Sequence, residues 1–164
     1  MINSQKIRME RNGAYHQPTS LNLNKKIKIV NFSPNLNFEK IWEKIQFSSD
    51  KSLHPSSGFF LKEFGVDCNQ IVDRVFFAQE KSSNKIIGTC SAWFKEDWGR
   101  VHWVAVLPKY QKQGVANNLL DECMKRLSSL GHSKIYLHTW SDRKVAINLY
   151  KKFGFIKKDL FLTQ

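Results

Sequence analysis

Cysteine is scarce in this sequence: the three residues, Cys68, Cys90 and Cys123, are odd in number and far apart. That pattern excludes a disulfide framework and fits no zinc-ligand spacing. Each thiol has apolar residues nearby and reads as a reduced packing group. The five histidines show no metal-ligand spacing either, so no metal is expected. No run of 18 apolar residues occurs, which excludes a helix that spans a membrane. Met1 to Ser20 are polar and contain nothing like the apolar stretch of a secretory signal, and a cytoplasmic location is the expectation. The phosphate-binding patterns GxGxxG and GK[ST] are both absent, as is any internal repeat. Acidic residues are also short, 14 against 26 Lys and Arg, for a formal charge of +12 and a pI near 9.7. Such a balance favours anionic partners: nucleic acid, anionic lipid or a phosphorylated small molecule. The lysines are scattered, with one tight group at Lys25, Lys26 and Lys28.

Apolar side chains are plentiful. Hydrophobic residues make up 41% of the 164, with twelve Phe and five Trp, enough for one packed core and too short a chain for two. Residues 1–25 are rich in Asn, Gln and Ser without a clear period and read as a flexible N-terminal arm, leaving residues 26–164 as the domain. Lys26 to Val30 alternates as a strand. Helical spacing of Ile41, Trp42 and Ile45 predicts a helix over 36–47, and a second runs from Phe59 to Phe64, ending at Gly65. Strands follow at 75–78, 86–93 and 101–106, the last almost wholly apolar and stopped by Pro108. A helix over 114–129 carries Val115, Leu119, Leu120, Cys123, Met124 and Leu127 on one stripe, with Asn117, Asp121, Lys125 and Ser128 opposite. A strand at 135–139, a helix at 142–153 with Val145, Ala146, Leu149, Tyr150 and Phe153 on one face, and a final strand from Phe155 complete the chain. The plan is α+β, a single domain built on a mixed, mostly antiparallel central sheet flanked by helices. Trp42, Trp93, Trp98 and Trp103 could line an acceptor pocket, with core packing the default reading for each.

The segment from Val104 to Ala116 is the informative one. A buried strand stops at a proline, a short polar loop follows, and an amphipathic helix opens at Gly114. Unpaired N–H groups and the positive helix end favour an anion there, and glycine lets it approach the backbone. Lys109 and Lys112 add charge beside it. Gln111-x-x-Gly114-x-Ala116, after a strand ending Val-x-x-Pro, resembles the pyrophosphate loop of the GCN5-related N-acetyltransferases. Thirty residues on, Ala146-Ile147-Asn148-Leu149-Tyr150-Lys151-Lys152-Phe153-Gly154-Phe155 is similar to that family's closing helix. The resemblance is clear from about Val75 to Phe155 and extends back to Lys26.

The resemblance implies an acetyltransferase that moves the acetyl group of acetyl-CoA onto an amine. Val104, Ala105 and Val106 would bond the pantetheine arm through main-chain groups, and a backbone N–H near Val104 would meet the acetyl carbonyl. Gln111, Lys112, Gln113, Gly114, Val115 and Ala116 would hold the pyrophosphate, with Asn148 a further cofactor contact. Arg143 stands where the family often has Asn. Tyr150 matches the tyrosine that protonates the leaving thiolate, and its ordinary pKa of ~10 suits a donor to a thiolate. Strand alternation places His102, Val104 and Val106 on one face and Val101, Trp103 and Ala105 on the other. His102 is then the candidate general base, with Glu80 and Glu96 as competitors, and a chain of waters with no single base, which the resemblance also implies, stays open. Two other readings stay open at this point: an RNA- or ribosome-binding module suggested by the charge, and a silent acyl-CoA sensor. A homodimer is open as well, and no membrane partner is expected.

Overall fold

A computed structural model describes residues 4–158. Seven strands form one sheet: β1 (Lys6–Asn12), β2 (Ile27–Asn31), β3 (Val75–Glu80), β4 (Ile86–Lys95), β5 (Trp98–Val106), β6 (Lys134–Trp140) and β7 (Ile156–Lys158). Their order is β2-β3-β4-β5-β6-β1-β7. Every neighbouring pair is antiparallel except β5 and β6, which are parallel. The helices are α1 (Phe38–Ser49), α2 (Phe59–Phe64), α3 (Cys68–Arg74), α4 (Val115–Ser129) and α5 (Lys144–Lys152). This is the mixed, helix-flanked sheet that the sequence predicts.

Two cores lie on opposite faces of the sheet. On one, the α4 stripe Val115, Leu119, Leu120, Cys123, Met124 and Leu127 packs with Met9, Ile87, Val101, Ile135 and Leu137, joined by Tyr150 and Phe153 of α5. On the other, Trp42 and Ile45 of α1, Phe60 and Phe64 of α2 and Ile71 of α3 pack against Val75, Phe77 and Ala105. Trp42 has no exposed surface and makes edge-on contacts with Phe60, Phe64 and Trp103. The helix α3 has no counterpart in the sequence reading. Its start is set by Asp67, whose carboxylate accepts the N–H groups of Asn69 and Gln70.

The N-terminal segment corrects the sequence reading. Residues 6–12 form β1, an interior strand paired with β6 on one side and β7 on the other. Ile7 and Met9 are buried in the core while Lys6, Arg8 and Glu10 face away, the period-two alternation that marks a strand. The residues after β1 lie over α4: the Tyr15 hydroxyl donates to Asp121, Asn117 donates to the Asn22 carbonyl, and Asn118 exchanges hydrogen bonds with Asn24. Polar side chains fasten this segment, so no apolar period announces it, and Asp121, read as solvent-facing, is buried. Two smaller readings also change. Cys90 and Cys123 are buried as packing thiols but Cys68, at the first turn of α3, is exposed. Val145 is exposed because α5 begins only at Lys144 and turns its first residues outward. The final strand is observed as β7, and whatever follows Lys158 lies outside the described residues.

Candidate active site

The site forms where β5 and β6 part. These two strands pair in register only at Gly99↔Ile135 and Arg100↔Tyr136. Beyond Arg100 they diverge, and a cleft of about 460 Å³ opens between the second half of β5, the end of β6, the C-terminal end of α1 and the start of α5. The cause is on the other edge of β5. The β4–β5 register shifts between Thr89↔Ala105 and Ser91↔His102, so three steps along β5 oppose two along β4, which is a β-bulge. Trp103 takes the left-handed conformation there, φ +53. The bulge is held from the α1 side: Gln46 Nε2 donates to the Trp103 carbonyl at 3.0 Å, and the Trp103 indole donates to Glu63 Oε2 at 2.9 Å.

One inserted residue overturns the strict alternation read from the sequence. Val101, Val104 and Val106 face the α4 side. Ala105 and Trp103 face α1 and α2, and the His102 ring joins them against Phe64 and Trp103. A strand bulge leaves no mark on composition, and alternation counted across it fails. The main chain of β5 has one edge paired with β4 and the other turned to the cleft. Leu107 N–H pairs with the Ile87 carbonyl of β4. Antiparallel alternation then turns the main-chain groups of Val106 and Val104 away from β4, toward the cleft. Consistent with that, the Val106 carbonyl accepts from Ser49 Oγ and Gln111 Nε2.

Tyr150 of α5 reaches the cleft wall while its ring stays in the core. Burial raises its phenol above the ordinary value of 10, so the hydroxyl holds its proton at neutral pH. His102 also lines the cleft, with Nε2 3.5 Å from Glu63 Oε2. Loss of water outweighs the pull of Glu63 and lowers this imidazole from 6.5 to about 4, so the ring is neutral at pH 7. The bond to His102 is the first cause that holds Glu63 below the usual carboxylate range. Glu80, at the end of β3, and Glu96, in the β4–β5 turn, stand outside the cleft. Asn148 is exposed on α5 and does not line the cleft. Arg143 pairs with Asp50 across the cleft mouth, joining the start of α5 to the end of α1.

The loop at the start of α4 is the second part of the site. Tyr110 and Gln111 N–H groups are bonded to the carbonyls of Leu107 and Pro108. The next five amides, from Lys112 to Ala116, have no acceptor among the described residues. Lys112 and Gly114 adopt left-handed backbone, φ +60 and +78, which turns successive N–H groups into a concave nest at a helix N-terminus. The glycine matters here because an L residue is strained at that φ. Gln111, Lys112 and Gln113 have exposed side chains, Ala116 is half-buried, and Val115 is buried in the core, so only main-chain groups of Val115 are available to a ligand. Gln111 sits between loop and cleft, its side chain turned back onto Val106. The sequence reading misses Gln46, Ser49 and Glu63. The available signal was Gln46, a polar residue four positions after Trp42 on the apolar stripe of α1, and the structure buries it.

The fold has known counterparts. The family model described as "Acetyltransferase (GNAT) family" matches residues 38–155. Among solved structures, a GCN5-related N-acetyltransferase from Sphaerobacter thermophilus superposes with a TM-score of 0.78 at 20% identity, over 93% of this chain and 48% of that one. The ribosomal-protein-S18-alanine N-acetyltransferase of Escherichia coli gives 0.65 at 19% identity, covering 81% of this chain and 79% of that one. A Pyrococcus horikoshii protein gives 0.66 at 24%, over 81% and 90%. The chain thus spans about half the length of the Sphaerobacter protein. Among the described residues no helix is long and apolar enough to cross a membrane, and no cluster of metal-ligating side chains occurs. With its sheet, its loop and its closing helix all in the expected order, this chain belongs to the GNAT acetyltransferase family.

Proposed function

We propose that this protein is an N-acetyltransferase that takes the acetyl group from acetyl-CoA and transfers it directly to an amine. The observation that carries the reading is the run of five amides without acceptors, Lys112 to Ala116, beside a cleft with exposed strand edges. Five N–H groups at a helix start suit a pyrophosphate, because each would otherwise face only water. Lys109 and Lys112, both with exposed side chains, add charge beside it. The main-chain groups of Val104 and Val106 on the free side of β5 suit the amide-bearing arm of the same molecule, laid down as an added strand. Acetyl-CoA supplies the thioester carbonyl that the amine attacks.

The chain's own residues then do three things. A backbone N–H near Val104 donates to the carbonyl oxygen as charge grows there, a contact of the kind worth about 3–4 kcal/mol. The Tyr150 hydroxyl, held protonated by burial, gives its proton to the departing sulfur. His102 takes a proton from the acceptor nitrogen. Its low pKa constrains how: an imidazole at about 4 lies ~6 units below a free ammonium near ~10, a gap of ~8 kcal/mol. The acceptor therefore enters as the neutral amine, and His102 accepts only after bond formation has made that nitrogen acidic.

The test is acceptor-dependent release of coenzyme A thiol, followed with a thiol reagent while a panel of amines is supplied, with mass spectrometry of the acetylated product. Thiol release that depends on an amine supports transfer. Failure of the folded protein to bind acetyl-CoA in calorimetry would sink the reading.

A further inference from the structure

Among the described residues, the half of the sheet beyond the cleft has one face without a covering helix, and that face is cationic. Alternation along β1 turns Lys6, Arg8 and Glu10 to it, because Ile7 and Met9 point into the core. Along β6 it turns Tyr136, His138 and Trp140, and along β5 Trp98, Arg100 and His102. Arg8 lies on Tyr136 and Trp98, 4.1 and 5.0 Å from the ring centres, and pairs with Glu10 at 2.6 Å. Lys158 shares Glu10. The cations nearer the cleft are left without a counter-ion. Lys6 and Arg100 both line it, and neither has a carboxylate within 4 Å among the described residues. Arg100 Nε is buried with no hydrogen-bond partner.

The carboxylates near this corner are engaged elsewhere. Asp50 is taken by Arg143 and Ser52, Glu63 by the Trp103 indole, and Asp142 by the Ser4 hydroxyl. His138 stands between the two free cations. Burial is the first cause that lowers it to about 4, and Lys6, Arg100, Arg8 and His102 all add to the effect. Three of these neighbours, Lys6, Arg100 and Arg8, are cations, which marks a local excess of positive potential, and a buried guanidinium Nε without a partner is costly unless a ligand meets it.

We infer that Lys6 and Arg100 bind an anionic oxygen group, a carboxylate or a phosphate, carried by the amine acceptor. The inference rests on the acetyltransferase reading, since it names the acceptor class of the same cleft. The preferred substrates are small amines with an acidic group, such as amino acids or amino-sugar phosphates, and not polyamines. Arg100 presents its planar fork and Lys6 a point charge, a pairing suited to fixing the orientation of such a group. Each contact is a charge-assisted hydrogen bond, and losing one should raise KM about 10- to 100-fold.

Two measurements test this. The first uses matched acceptors, an amino acid against its amide and an amino-sugar phosphate against the free sugar, so that carboxylate and phosphate are distinguished. The wild type should prefer the charged member of at least one pair, and Lys6→Gln and Arg100→Gln should shrink that preference about 10-fold or more, with the thermal shift given by acetyl-CoA retained. The second needs neither turnover nor acetyl-CoA: the His138 resonance is titrated by NMR with inorganic phosphate present and absent. Phosphate should raise the His138 pKa by about one unit or more, and Lys6→Gln should abolish that rise. Neutral acceptors used as well as charged ones, or a His138 pKa indifferent to phosphate, would overturn the inference. Absence of acetyl-CoA binding with the His138 response intact would overturn the acetyltransferase reading instead and leave an anion site standing.

Discussion

Gly114 is the residue where backbone strain and ligand binding can be separated by experiment. It sits at φ +78 as the cap of α4, and a Cβ added there would meet nothing closer than Asn24 Cβ at 3.8 Å. An alanine therefore fits sterically and costs only the left-handed strain, about 1–2 kcal/mol. In a domain of this size that lowers Tm by about 2–4 °C per kcal/mol. Gly114→Glu carries the same strain and in addition sets a carboxylate against the amides of Lys112 to Ala116, where it competes with any pyrophosphate. In thermal unfolding the wild type, at acetyl-CoA ~100 times Kd, should gain about 2.7 kcal/mol, a rise of about 5–10 °C. Both variants should unfold earlier than wild type by similar amounts without ligand. Gly114→Ala should keep most of the acetyl-CoA increment and Gly114→Glu should lose it. An undiminished increment in Gly114→Glu would refute the loop as the pyrophosphate site, and the matched ligand-free midpoints rule out general unfolding as the reason for a loss.

Tyr150→Phe should lower kcat by about 10²-fold or more while acetyl-CoA affinity changes little; equal losses in both would remove the proton-donor role. His102 makes stability sensitive to acid. Unfolded chain protonates it near 6.5 and the folded site only near 4, so between these values the unfolded state holds more protons and stability falls as pH falls. Going from pH 7 to 4.5 should cost about 2–3 kcal/mol by this group, read from urea midpoints, and His102→Gln should flatten the dependence; parallel curves would contradict the assignment. Met9→Ala should cost about 2–5 kcal/mol as a cavity in the main core, whereas a loosely attached arm would give a change near zero in the same urea titration. Gln46→Ala strands the Trp103 carbonyl and should cost about 1–3 kcal/mol, with a larger KM for the acceptor in the thiol-release assay if the bulge loosens.

What the chain's residues disclose depends on whether a local rule governs them. The α4 stripe, the stop at Pro108 and the loop ending at Gly114 each follow from period or backbone chemistry within a few residues, and each stands where the sequence places it. Lys6 to Arg11 also alternates, but six residues carry little signal beside the Asn- and Ser-rich stretch that follows. The strand becomes secure only through partners more than a hundred positions away in β6 and β7. The facing of His102 was illegible for a different reason. Its side depends on a bulge, and the bulge depends on Gln46 and Glu63, two polar residues of helices whose contacts with β5 are fixed only by tertiary packing.

Trp103 links the bulge, the open strand edge and the placement of His102. A tryptophan at φ +53 is strained by an amount on the order of 1–2 kcal/mol, and the surroundings offset that locally. Its ring lies edge-on to Trp42 and Phe59, its indole is bonded to Glu63, and its carbonyl is held by Gln46. The same insertion turns β5 so that Ala105 and His102 share the α1–α2 side while Val104 and Val106 present main-chain groups along the parting from β6. Strain at one residue thus buys the open strand edge that a flat, fully paired β5 would lack, because a straight ladder would have carried β6 past Arg100 and closed the cleft. That is why the costly conformation, the unpaired strand edge and the neutral histidine all fall within residues 102–106, and why the cationic corner formed by Lys6 and Arg100 is set at the end of the same opening.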